Sequence, residues 1–202
     1  GGRVFFGGSY GGGGGGLLIS DGTPEGTSLL LDLRFERGSG VPWLSVALGR
    51  LFFAASDAEG ASRIHVSDGT VEGTTILKDD LGGGFDYIAV GDRVFFGGHD
   101  PAHGSGLWVT DGTPEGTSFV AGTQYPDTLA CVGDRLFFTA SDPDHGSELW
   151  ISDGTADGTR MVKDIWPGEL GCQPQGLTAL GDRVLFSAEH REGDRELWIS
   201  DG

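Results

Sequence analysis

A pentapeptide close to Ile-Ser-Asp-Gly-Thr returns five times along this chain, and its spacing constrains the fold more than any other feature. A second motif, an arginine followed by apolar residues such as Val-Phe-Phe, begins 18 residues before the aspartate of each copy. Because all length variation falls between one aspartate and the next arginine, the pattern predicts a stacked repeat with a fixed module and variable connections. The five arginine–aspartate pairs are Arg3 with Asp21, Arg50 with Asp68, Arg93 with Asp111, Arg135 with Asp153, and Arg183 with Asp201.

Each repeat of about 45 residues is predicted to form four short antiparallel strands. In the third copy, the apolar residues 87–90 are followed by Gly91-Asp92, which is typical of a two-residue hairpin turn. The next strand carries Phe95 and Phe96, and neighbouring residues of a strand point to opposite faces. Both faces of each sheet must therefore be covered.

Four-stranded units of this length that are covered on both faces predict the blades of a β-propeller. A straight β-solenoid is the alternative, although its coils are usually shorter, and no segment shows helical periodicity. We expect an all-β fold with one propeller segment over residues 1–202. The second and third strands occur five times, and the first and fourth four times, which indicates a segment of a longer array. The repeat cores are expected at about 3–32, 43–80, 87–121, 128–165 and 177–202.

Composition excludes several classes of partner. Thirty acidic and thirteen basic residues give a net charge of −17, which repels nucleic acids and anionic lipids. No stretch approaches the roughly 20 apolar residues of a membrane helix, so membrane insertion is not expected. Cys131 and Cys172 occupy non-equivalent positions of the repeat, and either a disulfide or two unpaired thiols fits the pattern. The run Gly11–Gly16 would be a flexible coil, so we hypothesise that it, and similarly Gly82–Gly84, stands in for other side chains.

The stretch Glu-Leu-Trp-Ile-Ser-Asp-Gly-Thr-Ala-Asp-Gly-Thr at 148–159 resembles the ELW-x-x-DGT repeat family of large secreted or cell-surface bacterial proteins. Residues 196–202 match as well, and residues 106–113 nearly so. The first two copies depart, with Leu18 and His65 in place of the tryptophan, and Gly16 and Arg63 in place of the glutamate. The resemblance implies propeller blades, a location outside the cytoplasm and a scaffold or binding role.

The repeated turns place two carboxylates four residues apart, and oxygen-rich loops of this kind can hold calcium. A calcium ion needs six to eight oxygen ligands, whereas each turn offers few. The structural interpretation is that the aspartate accepts backbone hydrogen bonds within its own turn. We therefore predict no metal site and no other cofactor, and keep calcium as the alternative. The pairs are Asp21 with Glu25, Asp68 with Glu72, Asp111 with Glu115, and Asp153 with Asp157.

Other polar and aromatic residues recur in the repeats. Histidine and aspartate in the loop before the third strand suggest a metal site, but a solvated loop is favoured because the set varies between copies. The tryptophans of the third strand are expected in the core, and those in the connections are better placed for an exposed contact. The arginines are expected to pair with an aspartate of the hairpin turn. The loop residues are Asp57, Asp100, His103, Asp142, Asp144 and His145. The tryptophans of the third strand are Trp108, Trp150 and Trp198, and those of the connections are Trp43 and Trp166. The aspartates of the hairpin turns are Asp92, Asp134 and Asp182.

No nucleophile elbow, phosphate-binding loop or zinc signature occurs, and we predict no catalytic residue. The first hypothesis for function is a non-enzymatic extracellular or cell-surface propeller used for contact with other proteins or for assembly. The first alternative is a lectin with a shallow sugar pocket in each blade. A weaker alternative is a glycosidase whose catalytic carboxylates lie outside this segment, because fold by itself does not exclude it.

Overall fold

The structure is a computed structural model, and the part of the chain that it describes is entirely β. Within that part there is no helix, and therefore none long and apolar enough to cross a membrane. The chain divides into two compact units, residues 1–84 and residues 85–202. The described residues are 2–10, 14–32, 44–56, 62–191 and 193–202.

The first unit holds two antiparallel sheets. Its strands are β1 (Val4–Tyr10), β2 (Gly14–Ser20), β3 (Ser28–Asp32), β4 (Leu44–Ala47), β5 (Arg50–Ser56), β6 (Ser62–Ser67) and β7 (Thr74–Ile76). The first sheet has the order β1-β2-β3 and the second the order β4-β5-β6-β7. Each strand therefore pairs with its neighbour in the chain, as in an up-and-down meander.

The second unit holds three more antiparallel sheets, and the first strand of the third sheet begins just before the unit boundary. The strands are β8 (Gly82–Val90), β9 (Arg93–Asp100), β10 (Gly104–Thr110), β11 (Ser118–Ala121), β12 (Gln124–Val132), β13 (Arg135–Asp142), β14 (Gly146–Ser152), β15 (Arg160–Lys163), β16 (Gln175–Leu180), β17 (Arg183–Arg191) and β18 (Asp194–Ser200). The third sheet runs β8 to β11 in chain order, the fourth β12 to β15 and the fifth β16 to β18.

The strands predicted from the repeat are confirmed over the described residues. Among the described residues, the second and third strands of the repeat occur in all five sheets, whereas no first strand is found in the first sheet and no fourth strand in the fifth. The Gly91-Asp92 turn joins β8 to β9 as predicted, with Gly91 at φ 63°. A left-handed residue at this point is what a tight hairpin requires. The single propeller segment over 1–202 and its repeat cores stay predictions.

Neighbouring aromatic residues point to opposite faces of each sheet, as the sequence predicts. Phe137 packs in a core cluster with Ile151 and with Phe186 of the fifth sheet. Phe138 packs in a second cluster with Phe95 of the third sheet. We call the face of a sheet that meets the following sheet its leading face, and the face that meets the preceding sheet its trailing face. Phe137 is thus on the leading face of the fourth sheet and Phe138 on its trailing face.

The same arrangement covers the sheets of the first unit. Leu17, on the leading face of the first sheet, packs in one cluster with Leu51 and Phe53, on the trailing face of the second. All three side chains are almost completely buried. Cover by neighbouring sheets within each unit explains why these strands carry continuous apolar runs instead of the usual alternation.

The glycine runs do not behave as the sequence suggests. Gly14–Gly16 belong to β2 and pair with β1, with Gly16 opposite Gly8. Gly82–Gly84 begin β8, where Gly83 and Gly84 adopt φ values of 87° and 88°. The coil predicted for Gly11–Gly16 is therefore wrong for residues 14–16, because hydrogen bonding across the hairpin holds them extended. Residues 11–13 lie outside the described part of the chain.

Candidate functional site

The repeated Asp-Gly-Thr turn satisfies its own aspartate. Asp153 Oδ1 accepts a hydrogen bond from the backbone N–H of Thr155 at 2.8 Å and another from Thr155 Oγ1 at 2.7 Å. Thr155 Oγ1 accepts in turn from the backbone N–H of Gly158 at 3.0 Å. This closed network supports the structural interpretation of the turn. The corresponding aspartates with the same two bonds are Asp21, Asp68 and Asp111.

The glycines of the turn are required by space and by backbone conformation. A Cβ on Gly158 would overlap the carboxylate of Asp153, and Gly154 adopts φ 89°, where glycine is favoured. The hydrogen bond from the Thr155 side chain, followed by that from its backbone, lowers the pKa of Asp153 below its usual value. The carboxylate is therefore held in its charged form by its own turn.

Within the described residues, the fold brings no further carboxylate, histidine or cysteine groups together at these turns to complete a calcium site. The second carboxylates of the pairs, on Glu25, Glu72, Glu115 and Asp157, are exposed to solvent. Over the described ranges, no group of three or more His, Cys, Asp or Glu side chains is placed to hold a metal ion.

The histidine–aspartate pairs brace the tips of two hairpins. His103 Nδ1 lies 3.0 and 2.9 Å from the two carboxylate oxygens of Asp100, and the His103 backbone N–H donates to Oδ1 at 2.6 Å. His145 and Asp142 repeat this arrangement, with 2.9 Å from Nδ1 to each oxygen. Residues 101–103 of this loop are exposed, as the solvated-loop interpretation expects, whereas Asp100 at the end of β9 is buried. Asp57 lies outside the described residues.

These braces change the ionisation of their members. Burial raises the pKa of Asp100, but the hydrogen bonds from the His103 side chain and backbone outweigh it, and the pKa falls below its usual value. The hydrogen bond to Asp142 raises the pKa of His145. Each brace pairs one imidazole with one carboxylate, which is fewer ligands than a zinc site needs. Their role in the described structure is to close the hairpin tip.

The tryptophans of the third strand lie in or against the core, as predicted. Trp108 is buried, and its ring meets those of His103 and Phe119 edge-on, at 5.9 and 5.5 Å between centroids. Trp150 is half-buried and donates from Nε1 to the carbonyl of Ala140 at 3.1 Å. Trp198 is half-buried against the cluster around Phe137. These contacts support the predicted structural role of the three tryptophans.

The tryptophans of the connections have a different outcome. Trp166 was expected to be exposed for contact, but it is half-buried and packs against the cluster around Phe137. That expectation is wrong because the connection folds back onto the fourth and fifth sheets. Trp43 lies outside the described residues.

The repeated arginines join one sheet to the next. Arg93 Nη2 donates to the backbone carbonyl of Asp153 at 2.9 Å, and Arg135 Nη1 donates to that of Asp201 at 2.6 Å. Each guanidinium lies over the phenylalanine two residues on, at 5.5 and 5.6 Å from the ring centroid. A Cβ on Gly154 would overlap the guanidinium of Arg93. Glycine is therefore needed for this joint as well as for the turn.

The predicted structural role of the arginines is supported, with partners that differ from those expected. Arg135 Nη2 donates to the backbone carbonyl of Asp182 at 3.2 Å, which belongs to the next sheet. Arg183 does lie beside the aspartate of its own hairpin turn, 3.9 Å from the Asp182 carboxylate, but both side chains are largely exposed. An exposed pair at this distance contributes little stability.

Glu148 is a buried carboxylate that holds the connection after the fourth sheet in place. No sequence pattern had marked it as a functional residue. Glu148 Oε1 accepts from the backbone N–H groups of Cys172 at 2.9 Å and Trp166 at 3.2 Å. Its Oε2 accepts from the Ile165 N–H at 3.2 Å and from the Cys172 thiol at 3.0 Å. Burial, followed by the bond to Glu148, raises the pKa of the Cys172 thiol well above its usual value. Cys172 is therefore a structural thiol, and it and Cys131 are unpaired.

An open polar groove of about 410 Å³ lies between the fourth sheet and the connection that follows it. Burial, followed by the charge of Asp127, raises the pKa of Asp86, which sits on the first strand of the neighbouring sheet. Thr128 and Gln173 adopt φ values of 50° and 48°, which are sparsely populated by residues other than glycine. These residues lie in the variable connections and first strands, where no repeated motif marks them. The groove is lined by Asp127, Thr128, Thr139, Ser141, Ser147, Glu169, Leu170, Gln173, Pro174 and Gln175.

Comparison with known proteins shows the fold. No family model and no curated protein matches the sequence. The chain is similar to the β-propeller domain of the Trilobed protease from Pyrococcus furiosus, with a TM-score of 0.57 and 14% identity, over 99% of this chain and 65% of that one. It is also similar to TolB from Acinetobacter baumannii, with a TM-score of 0.52 and 16% identity, over 98% of this chain and 52% of that one.

Puromycin hydrolase is a third similar structure, with a TM-score of 0.55 and 17% identity, over 92% of this chain and 31% of that one. The chain thus spans about a third to two thirds of the length of these proteins. At such low identity the likeness concerns the fold alone. It supports blades of the β-propeller type and transfers no activity.

Proposed function

We propose that this chain is a non-enzymatic β-propeller scaffold, outside the cytoplasm or at the cell surface, that contacts other proteins. The observation that carries the proposal is that the repeated polar side chains of the described sheets are engaged in contacts that hold the sheets together. Away from both ends of the chain, Tyr125 on the first strand of the fourth sheet is 78% exposed. Tyrosine is enriched at protein–protein interfaces.

The repeated polar residues support a scaffold over an enzyme. The turn aspartates are engaged in their own turns, the His103–Asp100 pair in a hairpin brace, and Arg93 in an inter-sheet joint. The Glu148 carboxylate accepts hydrogen bonds from the connection after the fourth sheet, such as that from the Cys172 backbone N–H. A catalytic group needs a free reactive atom within reach of a substrate, and these residues do not offer one. The proposed location rests on the resemblance to the ELW-x-x-DGT repeats.

Photo-crosslinking in cells that express the protein tests this proposal. A photoreactive residue at position 125 should crosslink to a protein, because the Tyr125 side chain is 78% exposed. The same residue at position 71, where Val71 is 56% exposed on a turn of the second sheet, is the control. Crosslinks to no protein at position 125, or equal yields at both positions, would contradict the proposal.

The polar groove favours carbohydrate binding as a second candidate function. Its walls offer carboxylate, hydroxyl and amide groups, such as those of Asp127, Thr139 and Gln175, which suit the hydroxyls of a sugar. A glycan array with the wild-type chain and a Gln175→Ala variant tests this candidate. Binding that the substitution removes would support a lectin, and an array without signal would contradict it.

A further inference from the structure

We propose that Asp157 is a modification site of this chain, where the peptide bond to Gly158 rearranges spontaneously to isoaspartate while the aspartates of the repeated turns do not react. The inference goes beyond the proposed function and concerns the turn between β14 and β15. It follows from two Asp-Gly-Thr sequences that begin four residues apart in this turn and differ in the hydrogen bonds of their carboxylates.

The reaction needs an aspartate followed by a residue that leaves its backbone nitrogen accessible, and glycine does so best because it has no side chain. The glycine nitrogen attacks Cγ of the protonated aspartate. The N–Cγ bond forms, the Cγ–OH bond breaks, and the hydroxyl leaves with the N–H proton as water. Water then opens the succinimide at the original peptide C–N bond, so that the chain runs through Cγ. The product has the same atoms as the aspartate, and nothing is oxidised or reduced.

The two aspartates of this turn, Asp153 and Asp157, have matching neighbours in the sequence. Each follows a small residue and precedes Gly-Thr. The backbone nitrogens of Gly154 and Gly158 each donate to a hydroxyl group of the turn at 3.0 Å. Because neither the local sequence nor the attacking nitrogen favours one site, a difference in reactivity has to come from the carboxylates.

The two carboxylates are held differently. Oδ1 of Asp153 accepts hydrogen bonds from the hydroxyl and from the backbone N–H of Thr155, which fix the position of Cγ. The bond from the Thr155 side chain, followed by that from its backbone, also lowers the pKa of Asp153, so that less of the reactive protonated acid is present. The Asp157 carboxylate is exposed, and no hydrogen bond among the described residues reaches it. It can therefore turn towards the Gly158 nitrogen.

The turn of the fourth repeat differs from the other turns at this position. Glu25, Glu72 and Glu115 stand where this repeat has Asp157. A glutamate has to close a larger and less favourable ring, so these residues do not rearrange in the same way. The turn aspartates of those repeats accept the same two hydrogen bonds as Asp153. Among these four turns, the reactive combination thus occurs at Asp157.

Isoaspartate at this position would open the turn. A Cβ on Gly158 would overlap the Asp153 carboxylate, so Gly158 has no room to shift towards it. The product carries one extra methylene group in the backbone directly before Gly158, which displaces the Gly158 N–H from the Thr155 hydroxyl. The hydroxyls of Ser152 and Thr159, 2.7 Å apart across the turn, lose their alignment as well. The pairing of β15 with β14 is therefore loosened.

Ageing of the purified 202-residue chain in warm neutral buffer, followed by trypsin digestion and mass spectrometry with electron-transfer fragmentation, tests the inference. Residues 136–160 form one tryptic peptide that contains both aspartates, so each molecule carries its own control. Isoaspartate should accumulate with time at position 157 and stay below detection at position 153. In the chain unfolded by concentrated urea, the two positions should react at similar rates, because the hydrogen bonds of the turn are absent there.

Asp157→Glu, which introduces the residue type of the other three turns, is the matched variant. It should form no isoaspartate in this turn and keep its melting temperature through ageing, whereas the melting temperature of the aged wild-type chain should fall. Equal amounts of isoaspartate at 153 and 157 in the folded chain, none at 157, or a preference for 157 that persists in urea would each overturn the inference. An aged wild-type chain that carries isoaspartate at 157 and melts like the fresh chain would contradict the opening of the turn.

Discussion

At the scale of single residues, the repeated turn shows how a short motif fixes both chemistry and shape. The aspartate accepts two hydrogen bonds from the threonine two residues on, and the glycine five residues on leaves room for its carboxylate. Local hydrogen bonding of this kind depends on neighbours in the chain, so the sequence was enough to predict it. The charged form of the aspartate is a consequence of the turn and not a sign of catalysis.

Gly116→Ala should destabilise the third turn, because the added Cβ would overlap the Asp111 carboxylate. Overpacking of this kind costs about 1–3 kcal/mol. Gly122→Ala is the matched control, since its Cβ would meet the Phe119 ring at an ordinary 3.7 Å. Urea denaturation measures both free energies of unfolding, and equal values would contradict this account of the turn.

At the scale of elements, the strands and hairpins could be predicted from the sequence, whereas the contacts between the connections and the sheets could not. Phe137 and Phe138 predict a strand that is covered on both faces, and Gly133-Asp134 predicts the turn before it. Both signals depend only on residues that are close together in the sequence. The partners of Glu148 lie at 165–172, in a connection without periodicity. The polar groove beside Asp127 could not be predicted for the same reason, since it depends on how the connection after the fourth sheet folds back onto that sheet.

Glu148→Ala should destabilise the chain strongly, because it leaves buried backbone N–H groups of the connection without an acceptor. Hydrogen bonds to a charged group contribute about 1.5–3 kcal/mol each, so we expect a loss of at least about 3 kcal/mol. Glu196→Ala is the control, because Glu196 occupies the same position of the fifth repeat with a side chain that is 60% exposed. Thermal unfolding of both variants measures the difference, and similar melting temperatures would refute the role of Glu148.

Phe138→Ala should cost about 3–5 kcal/mol, the range for truncating a buried phenylalanine. Phe138 is 0% exposed between the third and fourth sheets. Phe6→Ala, at the corresponding but 36% exposed position of the first sheet, should cost clearly less. Chemical denaturation of the two variants tests whether sheet stacking, and not the strand itself, holds these aromatic residues.

At the scale of the whole molecule, neighbouring sheets within each unit are stabilised by the same kind of apolar cluster, and those of the second unit also by the same arginine joint. Its acidic surface carries a net charge of −17, which raises the question of bound cations. The all-β architecture and its likeness to solved propellers bear out the prediction from repeat length, while blade number depends on contacts that no local pattern encodes.

A chelator should leave the melting temperature of the chain unchanged. A ligand held by the folded state adds stability by mass action, so removal of a bound calcium ion would lower the melting temperature. The turn aspartates are already engaged by their own threonines, which leaves few oxygens for an ion. Calorimetry with and without chelator decides the matter. A decrease that disappears in an Asp111→Ala, Asp153→Ala double variant would give the turns a metal-dependent role.

The arginine joint has a consequence for how such a chain can change over generations. Arg93 and Arg135 recognise a backbone carbonyl beside a glycine, so the joint is blind to the side chains of the repeat that it meets. This joint therefore sets no condition on which repeat follows, apart from its Asp-Gly turn. Gene duplication or deletion of whole repeats would preserve the joint, so that only the apolar clusters between sheets would need compensating mutations.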